Sequence, residues 1–205
     1  MSRLGRVLAA ATAGVALVVS ACGASPGARL SKDLIPVAAT QPAAWGLRVA
    51  SRGQPLNPFG AQPSGAPIGT PNVAGAKAVA SRQWVQGSGA VTTGPLPEGI
   101  FSVIDRAAHY RSAADARALV AGVSSAFGTG SSQPVAGVPG ATLLTAPFTF
   151  DVRGGQITGR EELVVIVRGA YVFTVLVVGG GSRPTSSDAQ ALGALQAATI
   201  VGLRG

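Results

Sequence analysis

Few side chains in this 205-residue sequence have reactive chemistry: it contains a single cysteine, Cys22, and a single histidine, His109. A domain held together by disulfides carries an even set of cysteines, so a lone thiol does not serve that purpose. One cysteine and one histidine also cannot build a zinc or copper site, which needs several converging ligands of these types. The chemistry left for Cys22 is modification of its own thiol.

The residues before Cys22 indicate which modification this is. Two arginines open the chain, residues 7–19 are apolar and uncharged, and Val19-Ser20-Ala21-Cys22 follows. The apolar run suits export but is short for a stable membrane span. The segment resembles the bacterial lipobox, an aliphatic residue and two small residues before a cysteine. The resemblance implies cleavage between Ala21 and Cys22, a diacylglycerol on Cys22, and attachment to the extracytoplasmic side of the cell membrane.

Two alternatives to the lipobox stay open: an ordinary cleaved signal peptide, which Ser20-Ala21 would also suit, and an uncleaved N-terminal anchor. The composition fits the lipoprotein interpretation. The basic residues are 14 Arg against 2 Lys, and Ala and Gly are abundant, as in proteins from high-GC genomes. The chain therefore looks like an actinobacterial envelope lipoprotein.

The carboxylates give little support for catalysis. Those downstream of Cys22 are Asp33, Glu98, Asp105, Asp115, Asp151, Glu161, Glu162 and Asp188. A glycosidase needs two carboxylates across a cleft, but Glu161 and Glu162 are adjacent on a predicted strand and should point to opposite faces. Asp151 and Glu161 could approach on neighbouring strands, although surface pairing with Arg153 or Arg160 is the simpler expectation.

Other motifs do not change this conclusion. His109 precedes a helix start and is expected to be a polar residue at a strand end rather than a pH-sensitive contact. Gly122-Val-Ser124 lacks the second glycine of a nucleophile elbow, and Gly179-Gly-Gly-Ser182 lacks the spacing and the lysine of a phosphate loop. The sequence predicts a protein that is not an enzyme and that holds neither a metal nor a cofactor.

The net charge of +8 raises the question of nucleic acid. The arginines are scattered along the chain, and no basic run alternates with aromatic residues. Nucleic acid is therefore not an expected partner. The charge instead favours proximity to anionic lipid or an envelope polymer, where each basic side chain near the surface contributes up to about 1 kcal/mol.

The chain divides into three predicted regions: a lipoprotein signal peptide at 1–21, the lipidated cysteine with a flexible tether at 22–80, and a globular domain at 81–205. The segment from 23 to 80 holds 8 of the 14 prolines with many Gly, Ala, Ser and Gln, a composition that supports neither long helices nor a central strand. Leu34-Ile35-Pro36 and Trp45-Gly-Leu-Arg-Val49 are apolar exceptions that could dock on the domain.

Within the domain, the strongest local signals mark two helices. Ser112-Ala-Ala-Asp115 is a capping box in its Asp variant, and apolar residues follow at helical spacing as far as Gly128. Ser186-Ser-Asp188 is expected to cap a second helix through Ala191, Leu192, Leu195 and Ala198.

The remaining segments are predicted as strands: 82–86, 99–105, 142–152, 161–167 and 170–178. Pro147 in the third of these favours an edge position or a bulge. Arg168-Gly169 joins the last two as a hairpin, and both faces of this hairpin are apolar, so it should be central and covered on both sides. The order β-β-α-β-β-β-α predicts an α+β fold: an antiparallel sheet of about four to five strands with two helices packed on it. This arrangement is similar to small PsbP/Mog1-like envelope lipoproteins over residues 84–203.

Four aromatic residues could line a ligand cleft if the helices cover the sheet incompletely: Phe148, Phe150, Tyr171 and Phe173. The simpler alternative is that they fill the core. The predicted function is a non-enzymatic, membrane-anchored binding domain for an apolar or amphipathic envelope ligand, or for a protein partner. The second hypothesis is an adaptor that docks an envelope enzyme or transporter, with a sheet edge near Pro147 or the Ala/Pro-rich segment as the contact.

Overall fold

The computed structural model of the protein describes residues 29–50, 75–86, 94–95, 98–126, 131–152 and 155–201. The side chains of residues 124–126, 148 and 150–152 are outside this description. Cys22 and the predicted signal peptide also lie outside the described residues. None of the helices in the described ranges combines the length and the apolarity that crossing a bilayer requires.

The fold is built on one sheet of eight strands. Their bounds are β1 Leu47–Val49, β2 Ala78–Gln86, β3 Gly94–Pro95, β4 Gly99–His109, β5 Ser131–Pro134, β6 Ala141–Val152, β7 Gly155–Arg168 and β8 Tyr171–Gly180. The strand order is β1-β2-β4-β8-β7-β6-β5, and β3 pairs with β7 beside it. Every pairing is antiparallel except that of β3 with β7.

The hairpin β7–β8 occupies the middle of the sheet, as its composition predicts. Arg168 pairs with Tyr171 around a turn in which Gly169 has a φ of 55°, a left-handed conformation that glycine adopts without steric cost. Residues Val172 to Gly180 are buried without a break. Strands this apolar on both faces have to be covered on both faces.

Two separate cores cover the two sides of the sheet. The first face carries Trp84, Val103, Phe173 and Val175, and it is covered by residues 29–50 and by helix α3, Ser186–Thr199. The second face carries Ile104, Leu144, Leu163 and Leu176, and it is covered by helix α2, Ala113–Ala126, through Ala116 and its neighbours. Helix α1, Thr40–Ala44, lies within the N-terminal segment.

Helix α2 begins where the sequence predicts, and helix α3 begins within one residue of its predicted cap. The amide of Asp115 donates to Ser112 Oγ at 3.1 Å at the start of α2. Helix α3 has a full capping box one residue earlier than expected, with Thr185 as N-cap: Asp188 N donates to Thr185 Oγ1 at 3.3 Å, and Thr185 N donates to Asp188 Oδ2 at 2.7 Å. Side-chain caps of this kind satisfy first-turn N–H groups that otherwise lack a partner.

The predicted sheet of four to five strands with two helices is wrong. The described residues form eight strands and three helices. The additional strands are short, and their residues have little intrinsic β preference: β3 is Gly94–Pro95 and β5 is the polar, exposed segment Ser131–Pro134. These segments are extended because a neighbouring strand offers free main-chain groups to pair with, which a pattern of side chains does not reveal.

The N-terminal region contributes the third unexpected strand. Residues 29–50 lie within the stretch predicted as a tether, yet Leu30, Leu34, Ile35 and Leu47 are buried on the first face. β1 pairs with the end of β2, placing Leu47 opposite Gln86. The apolar runs noted in the sequence therefore dock on the domain.

Pro147 lies at a sheet edge and not in a bulge. β5 pairs with β6 only as far as Thr145, and the pairing of β6 with β7 continues through Pro147 without a shift of register. Proline has no N–H to donate, so it fits the outer side of β6, where no described strand follows.

Candidate functional site

The first face of the sheet contains a pair of charged residues within its apolar core. Arg82 on β2 lies directly opposite Asp105 on β4, in the series that also carries Trp84 and Val103. Asp105 is completely buried. Burying a carboxylate is costly unless hydrogen bonds or an opposite charge compensate it, so the partners of this pair define its role.

The partners are main-chain groups of the N-terminal segment. Ile35 N donates to Asp105 Oδ2 at 2.5 Å, and the guanidinium of Arg82 donates to the carbonyl oxygen of Ile35. From α3, Gln196 Nε2 donates to the carbonyl oxygen of Asp33 at 2.6 Å. Arg82, Asp105 and Gln196, which we call the cradle, thus bind the backbone of residues 33–35.

The contacts of the cradle suit a peptide backbone that leaves a 3-10 helix, because Ser31–Asp33 form such a helix and Leu34 is extended. One carboxylate accepts the N–H and one guanidinium donates to the C=O of a single residue, while the Ile35 side chain is buried in the core below. Such hydrogen bonds recognise the main chain of a peptide, and the adjoining apolar core accommodates its side chain. In this structure the bound peptide is the chain's own N-terminal segment.

The electrostatics of the cradle centre on Asp105. Burial raises its pKa to about 7, while the Ile35 N–H, the Arg82 charge and the Arg106 N–H act in the opposite direction. The second carboxyl oxygen, Oδ1, and Gln196 Oε1 are buried without a hydrogen-bond partner. Near neutral pH, Asp105 is therefore partly protonated.

A second buried acid lies on the other side of the sheet. Glu161 on β7 pairs with Val178 and with Ala146, both of which belong to the second core. Burial raises the pKa of Glu161 to about 8, and its Oε1 has no hydrogen-bond partner. This side chain is mostly uncharged at neutral pH.

The neighbouring glutamate is bound quite differently. Thr145 Oγ1 donates to Glu162 Oε2 at 2.7 Å, and Arg160 donates to Oε1 from Nε at 3.2 Å and from Nη2 at 3.0 Å. The prediction that Glu161 and Glu162 point to opposite faces is confirmed. The expected surface pairing of Glu161 with Arg160 is wrong, because Arg160 pairs with Glu162 and Glu161 is buried.

The aromatic residues predicted to line a cleft are spread along the sheet. Phe148 pairs with Gly159, and Phe173 pairs with Ile166, seven residues further along β7. At about 3.3 Å per residue these positions are roughly 23 Å apart. The side chains of Phe148 and Phe150 are outside the described part of the structure.

The other two predicted residues lie together at the far end of the first face. The rings of Tyr171 and Phe173 have centroids 6.4 Å apart, and His109 stacks on Tyr171 at 4.4 Å. Phe173 is completely buried, whereas Tyr171 and His109 are half-buried. His109 thus lies at the end of a strand, packed on an aromatic ring.

The described residues include no group of three or more His, Cys, Asp or Glu that could hold a metal ion. Their two buried acids without full hydrogen bonding, Asp105 and Glu161, lie on opposite faces and cannot act on one substrate atom. The chemistry available to the cradle is hydrogen bonding to a peptide backbone and the exchange of a proton.

The comparisons with known proteins give one structural neighbour. No protein-family model and no curated protein sequence matches the chain. Among solved structures, the chain is similar to the extracellular domain of PknH from Mycobacterium tuberculosis, with a TM-score of 0.40 and 14% sequence identity. The match covers 63% of this chain and 66% of the neighbour, just under two thirds of the neighbour's length.

Proposed function

We propose that this protein is a cell-envelope lipoprotein, anchored by a diacylglycerol on Cys22, whose domain acts by binding. The observation that carries the anchor is the segment Val19-Ser20-Ala21-Cys22 directly after an uncharged apolar run. It is supported by the cysteine content, because the modified residue is the only thiol in the sequence. The proposed location is the extracytoplasmic side of the cell membrane.

Replacement of the cysteine tests the anchor. In a bacterial host that lipidates exported proteins, Cys22→Ala should move the chain from the membrane fraction to the soluble fraction. Ser25→Ala, three residues beyond the lipobox, is the matched control and should stay in the membrane. Mass spectrometry of the wild type should find an N-terminal peptide that begins at residue 22 and carries the lipid. Tight membrane retention of Cys22→Ala would overturn the proposal.

The contacts of the N-terminal segment support a domain held close to the membrane. Leu30 is already packed in the first core, and only eight residue steps separate it from Cys22. A fully extended chain of that length spans at most about 29 Å. While the segment stays docked, the domain cannot move further than this from its lipid.

For the binding role we favour a protein partner over an apolar ligand. Phe173 is completely buried and packed in the first core, which supports the idea that it fills the core. The outer edge is the more accessible feature: all four residues of β5, Ser131–Pro134, are exposed. An exposed edge strand offers free main-chain groups to which a partner can add a strand.

The adaptor is the second candidate, and the same edge favours it. A photo-crosslinking residue at Ser132 should capture one dominant envelope protein in intact cells. The same residue at Arg117, exposed on α2, is the control and should not. Solvent extraction of the purified protein followed by mass spectrometry tests the ligand alternative. A stoichiometric envelope lipid, with no crosslink from β5, would reverse our preference.

A further inference from the structure

Residues 29–50, which we call the strap, are attached to the domain in a way that differs from every central element. The strap pairs with the sheet only through three-residue β1, at the outer side of β2. Its other attachments are a main-chain hydrogen bond from Ala50 N to Gln83 O at 2.8 Å, buried side chains such as Leu34 and Ile35, and the three hydrogen-bonding residues of the cradle. Removing it breaks no pairing among β2, β4, β8, β7 and β6.

We propose that the strap is releasable: it leaves the first face while the rest of the sheet stays folded, and its departure lengthens the link between the lipid and the domain. The proposed lengthening rests on the anchor at Cys22; the release itself does not. The strap buries Leu30, Leu34, Ile35 and Leu47, but its main-chain pairing is confined to one edge of the sheet. Proteins open locally at free energies below that of global unfolding, and elements outside the central strands open first.

The change in reach is large. With the strap docked, the link runs from Cys22 to Leu30 and spans at most about 29 Å. With the strap released, the next described residue that packs on the domain is Ala76, 54 residue steps from Cys22. Covalent geometry then allows an upper limit of about 190 Å. Docking and release would give the domain two working distances from the membrane.

The cradle makes docking of the strap depend on pH. Docking of the strap covers Asp105, and release returns water to the carboxylate. The charge that acts on it is Arg82, directly opposite on β2. The strap carries Lys32 and Asp33 just before Leu34, and α3 contributes the neutral Gln196. Burial raises the pKa of Asp105 to about 7 in the docked state, whereas a solvated aspartate titrates near its ordinary value of 3.8.

The sign of the pH effect follows from this difference. Between pH 4 and pH 7 the docked state retains a proton on Asp105 that the released state gives up. Raising the pH through this range therefore favours release, by up to tenfold per pH unit, and the effect levels off above pH 7. The docked state is therefore most favoured at acidic pH.

Hydrogen exchange on the full chain tests the proposal. In the wild type, peptides within 29–50 should exchange faster than those of β4 and β8. After correction for the intrinsic pH dependence of exchange, their protection should fall by up to tenfold per unit between pH 5 and pH 7. Asp105→Asn keeps an oxygen acceptor for Ile35 N–H but cannot ionise, so the protection should no longer vary with pH.

Two further variants make the result decisive. Glu161→Gln removes the buried acid of the opposite face and should leave the pH dependence of the strap unchanged. Gln196→Ala removes the hydrogen bond to the Asp33 carbonyl together with buried packing of α3. It should speed exchange of the strap at least roughly fivefold while keeping its pH dependence, and it also covers the case in which Asp105→Asn does not fold. Exchange of the strap in step with β4 and β8, or pH dependence that persists in Asp105→Asn, would overturn the proposal.

The change in reach has its own readout. A fluorophore on Arg117→Cys of the lipidated chain, in phosphatidylglycerol–phosphatidylcholine vesicles with a quencher in the bilayer, should be quenched less at pH 7 than at pH 5. Quenching that is equal at both values, with exchange behaving as described, would show release without lengthening. Exchange needs no lipid, so its outcome also stands apart from any failure of the Cys22 anchor.

Discussion

At the scale of single residues, the two buried acids show how the same chemistry has different consequences in different surroundings. Asp105 meets a main-chain N–H and the Arg82 charge, and these hold its pKa at about 7 despite complete burial. Glu161 has no such partners, and desolvation alone raises its pKa to about 8. The first residue binds a segment of the chain, whereas the second only adds pH dependence to stability.

Glu161→Gln should make the protein more stable in mild alkali. A carboxyl whose pKa in the fold is about 8, against an ordinary value of 4.5, favours folding fully below pH 4.5 and loses that contribution as the pH rises through 8. The loss amounts to as much as roughly 5 kcal/mol. In urea denaturation the wild type should weaken from pH 5 to pH 8.5, and Glu161→Gln should weaken less.

Glu162→Gln is the matched control for this experiment. It removes the charge that Arg160 and Thr145 bind, so the variant should be less stable at both pH values, by about 1–3 kcal/mol. A gain in stability for Glu162→Gln, or no gain for Glu161→Gln at pH 8.5, would contradict the assignment of the two faces.

At the scale of elements, the way α3 packs on the sheet depends on one glycine. A Cβ added at Gly193 would lie 2.9 Å from Val164 Cγ1, closer than side-chain carbons approach each other, while one added at Gly122 on α2 would meet nothing within 4 Å. Both residues lie inside helices, where alanine is favoured over glycine by about 1 kcal/mol. Packing alone decides between the two positions.

Gly193→Ala should therefore destabilise the protein, because overpacking costs about 1–3 kcal/mol and exceeds the gain in helix propensity. Gly122→Ala, its counterpart on α2, should raise the free energy of unfolding by about 0.5–1 kcal/mol. Thermal and urea denaturation of the two variants measure both effects. Similar stabilisation of both would mean that α3 does not lie close to β7.

The elements also show what sequence patterns can predict. The start of α2 and the hairpin β7–β8 follow from local features, namely the Ser112 cap and two runs of β-branched residues, and both are predicted correctly. β1, β3 and β5 are not predicted, because their extended state comes from pairing with a neighbouring strand and not from their own residues. β1 pairs with β2, β3 with β7, and β5 with β6. Local propensity contains no information about such pairing.

At the scale of the whole molecule, the same limit explains why the cradle is not predicted. Arg82 and Asp105 meet only through the pairing of β2 with β4, and Asp105 meets Ile35 across 70 residues of chain. A polar residue in a predicted strand is expected to face solvent unless the pairing register of that strand is known. The one detectable signal was the apolar pair Leu34-Ile35 in a proline-rich stretch, which predicts docking but not where.

The strap also affects whether one copy of the chain can pair with another through the edge of the sheet. β1 covers the outer main-chain groups at the end of β2, opposite Trp84, Val85 and Gln86. A chain without its strap would present the whole of Ala78–Gln86 as an open edge, and open edges pair with one another. The proposed lipid anchor would confine such chains to a single plane and bring their edges together. While β1 is docked, it therefore also keeps this end of the edge from pairing with a second chain.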